Sequence, residues 1–169
     1  MITQIGIKGH SMIEIVEEWK NYNSKRKSDK LLTFRSTLIL LKNLSQCKRA
    51  NNAAIVFNRD FSAIHAIGYN GPPKGGYAQC TSKPGDCLCI HAEANALLKL
   101  KTHEKGLIML CTTSPCWYCA GAILNSGQIG LVIYEQPYRD SRPGLNLLYH
   151  NGIDAWEAEN LTKVLYSSG

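Results

Sequence analysis

Apolar positions along the chain alternate between helical and strand spacing. Met12, Ile15, Val16 and Trp19 recur at helical intervals and predict a short amphipathic helix near the start. The polar stretch 21–29 reads as a loop, and 31–44, with Phe34, Leu38, Leu41 and Leu44 apolar, reads as a longer helix. Two short apolar runs, 53–57 and 62–68, are separated by Asn58, Arg59 and Asp60 and predict strands joined by a tight turn. Residues 68–85 are rich in Gly, Pro, Lys and Ser and predict a loop. Good helix formers fill 92–101. A buried strand follows at 107–112, then a helix at 116–125, a strand at 129–134 and a helix at 142–150. Beyond Gly152 the pattern specifies no element, and no internal repeat is present. Helices alternating with short apolar strands predict an α/β layered domain with helices on both faces of a sheet.

Length and composition narrow the class. A chain of 169 residues fits one domain able to bury a core, and 44% hydrophobic with 19% charged residues is ordinary for a globular protein. No apolar run reaches the roughly 18 residues that span a bilayer, so no membrane partner is expected. Residues 1–6 lack the charged-then-apolar pattern of a signal peptide, which places the protein in the cytoplasm. Seven cysteines, an odd number without such a leader, argue for metal binding or chemistry rather than a disulfide framework. The net charge of +6 owes much to Lys20, Lys25, Arg26, Lys27 and Lys30. Such a segment is either solvated surface or an attraction for phosphate on a nucleotide or nucleic acid, and charge alone leaves both open.

The chemistry concentrates in two motifs, His91-Ala92-Glu93 and Pro115-Cys116-Trp117-Tyr118-Cys119, each opening a predicted helix. A catalytic zinc takes three protein ligands and keeps one position for water, and His91, Cys116 and Cys119 supply three. Two cysteines three apart at a helix start aim both sulfurs at one point, where the helix N-terminus favours the thiolate. Pro115 suits a first helical position, since its missing N–H would have no intrahelical partner. Glu93 borders the metal without ligating it and is the candidate general base and acid, because zinc lowers the pKa of its bound water to about 7. His-x-Glu followed by Pro-Cys-x-x-Cys is the signature of the zinc deaminases. The competing readings are a redox Cys-x-x-Cys pair, or a closed structural site with a fourth ligand from Cys87, Cys89 or Cys111.

A longer set of stretches runs in order from Ser45 to Gly152. It comprises Ser45-Gln46-Cys47-Lys48-Arg49, Gly68-Tyr69-Asn70-Gly71-Pro72-Pro73-Lys74-Gly75, His91 to Ala96, Thr113-Ser114-Pro115-Cys116 through Ala120, Tyr134 to Asp140 with Pro137-Tyr138-Arg139-Asp140, then Leu147-Leu148 and Gly152-Ile153. In these the chain resembles the deoxycytidylate deaminases. The resemblance implies a cytidine-deaminase-like three-layer domain, with a mixed central sheet of about five strands flanked by helices. It implies hydrolysis of dCMP to dUMP with release of ammonia, a homo-oligomer, typically a hexamer, and regulation by dCTP and dTTP with Mg2+. By the same resemblance Asn70 contacts the sugar and the backbone at Ala92 reads the base edge. Ser114 is a further substrate-site candidate, and Tyr138 and Arg139 near the site mouth are the favoured phosphate candidates, ahead of Lys48, Arg49 and Lys74. Arg49, Gly71 and Lys74 are the regulatory candidates. Glycines flanking Tyr69-Asn70 would let backbone approach a ligand closely.

The domain organisation expected is a single deaminase domain over 1–169, with an N-terminal helix and basic loop at 1–30, a catalytic core at 31–153 and a C-terminal extension at 154–169. One departure from the family pattern is Asn52-Ala53 where Val-Gly is common, which bears on the adjoining strand. One catalytic zinc per chain is expected. A second, structural zinc near Cys80, Cys87 and Cys89 is not, since without His65 fewer than four convergent ligands are evident. Trp117 and Tyr118 are expected to pack or line a wall, and His10, His103 and His150 to be surface histidines. The rival is a deaminase of tRNA or other nucleic acid, which would need a groove for flanking nucleotides. A zinc-stabilised interaction module would leave Glu93 without a role.

Overall fold

The structure, a computed structural model, describes residues 17–19, 24–75, 79–84 and 86–166. Helix α1 (Ser24–Leu41) runs into a 3-10 turn (Lys42–Leu44), followed by β1 (Ala53–Phe57), β2 (Ile64–Tyr69), α2 (Ala92–Lys99), β3 (Leu107–Thr113) and α3 (Trp117–Ser126). Then come β4 (Ile129–Gln136), α4 (Arg142–His150), β5 (Asp154–Glu157) and α5 (Ala158–Tyr166). The five strands form one sheet in the order β2-β1-β3-β4-β5. Strand β1 pairs antiparallel with both β2 and β3, whereas β3, β4 and β5 run parallel. This is the mixed, cytidine-deaminase-like sheet the resemblance implied.

Strand β1 reads as an unbroken apolar run because both sheet faces are covered, and all five of its residues are buried. Alternate side chains divide between two cores. Ile55, Phe57, Ile108, Leu110, Leu131 and Ile133 meet Leu31, Leu38, Leu161 and Leu165 of α1 and α5. On the other face Ala54, Val56, Met109 and Val132 meet Ala96, Ile123 and Leu148 of α2, α3 and α4. Asn52-Ala53 leaves the start of the strand paired, with Ala53 opposite Tyr69, and Thr112 Oγ1 donates to Asn52 Oδ1 (3.0 Å) and accepts from the Ala53 N–H (3.1 Å).

Three expectations need correction. Residues 24–29 are helical, not loop, because lysine and arginine propagate a helix well even where no apolar stripe marks it. Lys27 and Ser28 of that segment are buried. Beyond Gly152 the chain adds β5 and α5. The strand was illegible because its four residues are all half-buried and carry no two-residue alternation. The tight turn at Asn58-Arg59-Asp60 is longer than expected. Asn58 Oδ1 accepts from the N–H groups of Ser62 and Ala63, and Phe61 sits at φ 59°. Most of the predicted first helix (Met12, Ile15, Val16) lies outside the described residues; Trp19 is helical and buried, its ring centroid 4.9 Å from that of Phe61.

A half-buried ion pair ties the outer layer to the sheet. Arg35 of α1 donates from Nε and Nη2 to the two carboxylate oxygens of Glu135, 2.7 Å each, and from Nη1 to Thr162 Oγ1 of α5 at 3.1 Å. The guanidinium is held further above its ordinary pKa by the Glu135 hydrogen bond. No described helix is long and apolar enough to cross a membrane.

Candidate active site

Two helix starts converge beside the carboxyl end of β3. His91 is the N-cap of α2 and Cys116 the N-cap of α3, both in extended conformation. Pro115 therefore precedes the cap instead of opening the helix, and its fixed φ sets the approach of the chain. His91 Nδ1 stands 3.5 Å from Cys116 Sγ and 3.5 Å from Cys119 Sγ. Zinc–sulfur and zinc–nitrogen bonds of about 2.3 and 2.05 Å at a tetrahedral angle separate N and S by about 3.6 Å. The three donors thus fit a zinc ion as they stand and leave a fourth position for a small ligand. The closed structural alternative finds no support here, since Cys87, Cys89 and Cys111 do not join this group.

Electrostatics at the site follow from burial and sulfur hydrogen bonding. Cys116 is pulled down to about 4 by the hydrogen bond from Cys119 and then by His91, while Cys119, the donor, is pushed up. His91 is raised, first by its hydrogen bond to Cys116. Glu93 is the second residue of α2 and is 5% exposed, and burial raises its carboxyl to about 7. Without metal this shift has a stability consequence. A carboxyl raised from 4.5 to about 7 on folding stabilises the fold below pH 4.5, and that contribution is lost as pH rises through 7. The loss amounts to about 3 kcal/mol at 1.36 kcal/mol per pKa unit. In denaturant melts of metal-free protein, Glu93→Gln is therefore expected to gain on the parent steadily between pH 4.5 and 7. A difference that is flat with pH contradicts the shift.

Asn70 organises the floor and is 3% exposed. Its Oδ1 accepts from the Ala92 N–H at 2.7 Å, its Nδ2 donates to Ala50 O at 3.0 Å, and its own N–H donates to Asn52 O at 3.0 Å. The side chain therefore caps α2, the helix carrying Glu93, directly after the ligand His91. Ala92 is buried and its N–H is engaged by Asn70. Gly68 serves helix packing, not a ligand: a Cβ there would lie 2.1 Å from Ala92 O and 2.5 Å from Ala96 N. Asn70→Ala leaves the Ala92 N–H and the Ala50 carbonyl without partners in a buried place. A loss of about 2–3 kcal/mol in denaturant unfolding is expected, and less than 0.5 kcal/mol, roughly the level of an ordinary surface change, contradicts the capping role.

The remaining candidates divide by location. Ser114 is 1% exposed and its hydroxyl accepts from the Tyr138 N–H at 2.8 Å, which fixes the loop after β4. Tyr138, Arg139 and Arg49 line one cavity of about 590 Å³ together with Leu88, Trp117 and Tyr118, and this cavity opens onto His91 and Cys116. A smaller recess of about 70 Å³ reaches Glu93, Asn70 and Ser114. Arg49, a candidate for either the regulatory site or the phosphate, borders this cavity. Gly71 is buried and bridges Ile90 through two backbone hydrogen bonds, and Lys74 is exposed. Trp117 and Tyr118 line the cavity wall but remain 53% and 85% exposed. His103 and His150 are exposed, and His10 lies outside the described residues.

A second group of sulfurs includes the three cysteines weighed in the sequence, Cys80, Cys87 and Cys89, and one that was not, Cys47. The Sγ atoms of Cys47, Cys80, Cys87 and Cys89 all lie within 4.8 Å of one another. The expectation that fewer than four ligands converge without His65 is thereby corrected. Cys47, distant in sequence, completes the set, while His65 pairs with Glu104 at 3.2 Å. The Cys-x-Cys spacing of Cys87 and Cys89 was the available signal.

Comparison with known proteins agrees with this geometry. The model of the cytidine and deoxycytidylate deaminase zinc-binding region matches residues 28–136. Deoxycytidylate deaminase of Saccharomyces cerevisiae is 31% identical over 135 residues, 71% of this chain and 42% of that protein. The chain thus spans less than half the length of that curated relative. The dCMP deaminase of cyanophage S-TIM5, solved in complex with dCMP and dUMP, is 31% identical with a TM-score of 0.64, covering 74% of this chain and 93% of that one. RibD of Acinetobacter baumannii, 19% identical with a TM-score of 0.59 over 83% of this chain and 38% of that one, shares the fold. With two helix starts delivering a His-Cys-Cys donor set beside a buried glutamate, and a family model covering most of the described core, this chain belongs to the cytidine and deoxycytidylate deaminase family.

Proposed function

We propose that this chain hydrolyses the 4-amino group of dCMP, giving dUMP and ammonia, with His91, Cys116 and Cys119 as zinc ligands and Glu93 as proton carrier. The observation that carries the proposal is His91 Nδ1 at 3.5 Å from both cysteine sulfurs, with the Glu93 carboxyl buried in the adjoining recess. Zinc, when held there, supplies Lewis-acid activation of a water in its open position. Glu93 takes the proton from the attacking water, hands it to ring N3, and later protonates the departing amine. Burial favours the protonated carboxyl, which suits a group that must hold a proton as well as take one. Asn70 holds the helix that aims Glu93. Around the cavity, Trp117, Tyr118 and Tyr138 offer surfaces to ring and sugar, and Arg49 and Arg139 offer guanidinium groups to the phosphate. The relative solved with dCMP and dUMP supports this substrate.

The resemblance extends the proposal to a homo-oligomer, a hexamer, regulated by dCTP and dTTP with Mg2+; a monomer in light scattering, or rates indifferent to both nucleotides, would withdraw that extension. For the reaction itself, ammonia release is compared on dCMP, deoxycytidine, CMP and a tRNA transcript. Turnover confined to dCMP is expected. Activity on the transcript with none on mononucleotides would replace this reading with nucleic-acid deamination.

A further inference from the structure

We propose that Asn52 donates from its side-chain nitrogen, Nδ2, to O2 of the cytosine ring, and so is a substrate-binding residue that selects the base. Asn52 lines the recess of about 70 Å³ that reaches His91, Glu93 and Cys116. It stands where valine, a side chain without a hydrogen-bonding atom, is common in the family pattern. Its polar groups can be followed one by one. The carbonyl accepts from the Asn70 N–H at 3.0 Å. Oδ1 accepts from Thr112 Oγ1 at 3.0 Å, a nearer acceptor for that hydroxyl than Ala53 O at 3.4 Å. The same hydroxyl accepts from the Ala53 N–H at 3.1 Å, so its own proton is left for Asn52. This fixes which end of the amide is oxygen. Nδ2 carries two donor hydrogens and has no partner among the described residues. Nor is it sealed away, unlike Arg59 Nε and His65 Nε2, which are buried without a hydrogen bond.

The chemistry of the base identifies the acceptor. A recess this small admits one edge of a ring, and deamination sets which edge: C4 beside the three donors and N3 beside Glu93. The next ring atom after N3 is C2, which carries O2, the one oxygen on the cytosine ring and an acceptor with no proton of its own. Adenine placed with its amino carbon at the same point carries a C–H there and leaves the amide nitrogen unpaired once the ring has displaced water. Sites built around such a donor reject the analogue that cannot accept. Asn70 has no donor to spare, since its Nδ2 goes to Ala50 O and its N–H to Asn52 O. The structural work of Asn52 is done by its two oxygens, so holding the start of β1 does not call for an amide nitrogen. This contact rests on the dCMP reading of the site.

The test compares kcat/KM for dCMP and for 2-thio-dCMP, whose sulfur is a weak acceptor, in the zinc-loaded parent, Asn52→Val and Asn52→Asp. The parent is expected to favour dCMP about tenfold, the scale of one hydrogen bond between neutral groups. A parent ratio near one overturns the contact by itself, and that readout needs no variant to fold. Asn52→Val is expected to lose about tenfold on dCMP, mainly through a higher KM, and less than twofold on the thio analogue, which brings the ratio near one. Asn52→Asp keeps the shape and the acceptor for Thr112 but has no N–H. Its charge acts on both substrates alike and cancels in the ratio, which is expected to narrow as it does in Asn52→Val. A purely structural role lowers both substrates together, so a ratio that stays at the parent's value in either variant overturns the contact. That outcome in a parent that turns over dCMP leaves the dCMP reading standing. A zinc-loaded parent that turns over neither cytosine nucleotide overturns the dCMP reading, and the contact with it.

Discussion

Glu93→Gln is expected to lower turnover of dCMP by about 10²–10⁴-fold, the range of a positioned general acid–base group, while zinc content and fold stay intact. The argument is steric as much as chemical. Glutamine matches glutamate in shape, so the buried recess stays filled, yet its amide can neither take the proton from water nor return one to the amine. Cys119 hydrogen-bonds to the Glu93 carboxyl, and the amide oxygen of glutamine can accept that bond in its place, so His91 is expected to stay 3.5 Å from both sulfurs. Zinc lost together with activity would make Glu93 a structural support. Activity retained with zinc bound would remove it from the mechanism.

Gly68→Ala carries the largest expected structural effect. The added Cβ would meet Ala92 O at 2.1 Å and Ala96 N at 2.5 Å, both backbone atoms of α2, so no side-chain rotation relieves the clash. Helix α2 must move away from β2, at a cost of about 3 kcal/mol for overpacking. His91 and Glu93 ride on that helix start, and a displacement near 1 Å is worth about 10²-fold in rate. Gly71→Ala is the control, because its nearest neighbour is Gln46 Cβ at 3.9 Å. Denaturant melts and kcat for the two variants side by side test this. Equal behaviour would mean that α2 is free to shift, contrary to its tight seat on β2.

What the sequence disclosed about the site was what is encoded locally. His91 with Glu93, and Cys116 with Cys119, lie two and three residues apart at helix starts, so spacing alone carried their geometry. Asn70 was noticed, but that its side chain caps a helix start 22 residues away could not be read from spacing. The four-sulfur group was hidden for the same reason: Cys47 stands 33 residues from Cys80, and only the folded chain closes that gap. In the fold, strands buried on both faces, such as 53–57, were legible as apolar runs. Helix α1 began earlier than its apolar stripe because lysines propagate a helix without marking a face. Strand β5, half-buried throughout, offered no alternation at all.

The central claim is that this site replaces the cytosine amino group of dCMP with an oxygen from water. The most direct measurement is turnover of dCMP by the zinc-loaded protein in water enriched in 18O, with mass analysis of the nucleotide and assay of ammonia in the same sample. The account predicts dUMP carrying one 18O at C4 and one ammonia released per dUMP formed. Unlabelled dUMP, or no dUMP from a protein that holds its zinc, would contradict it.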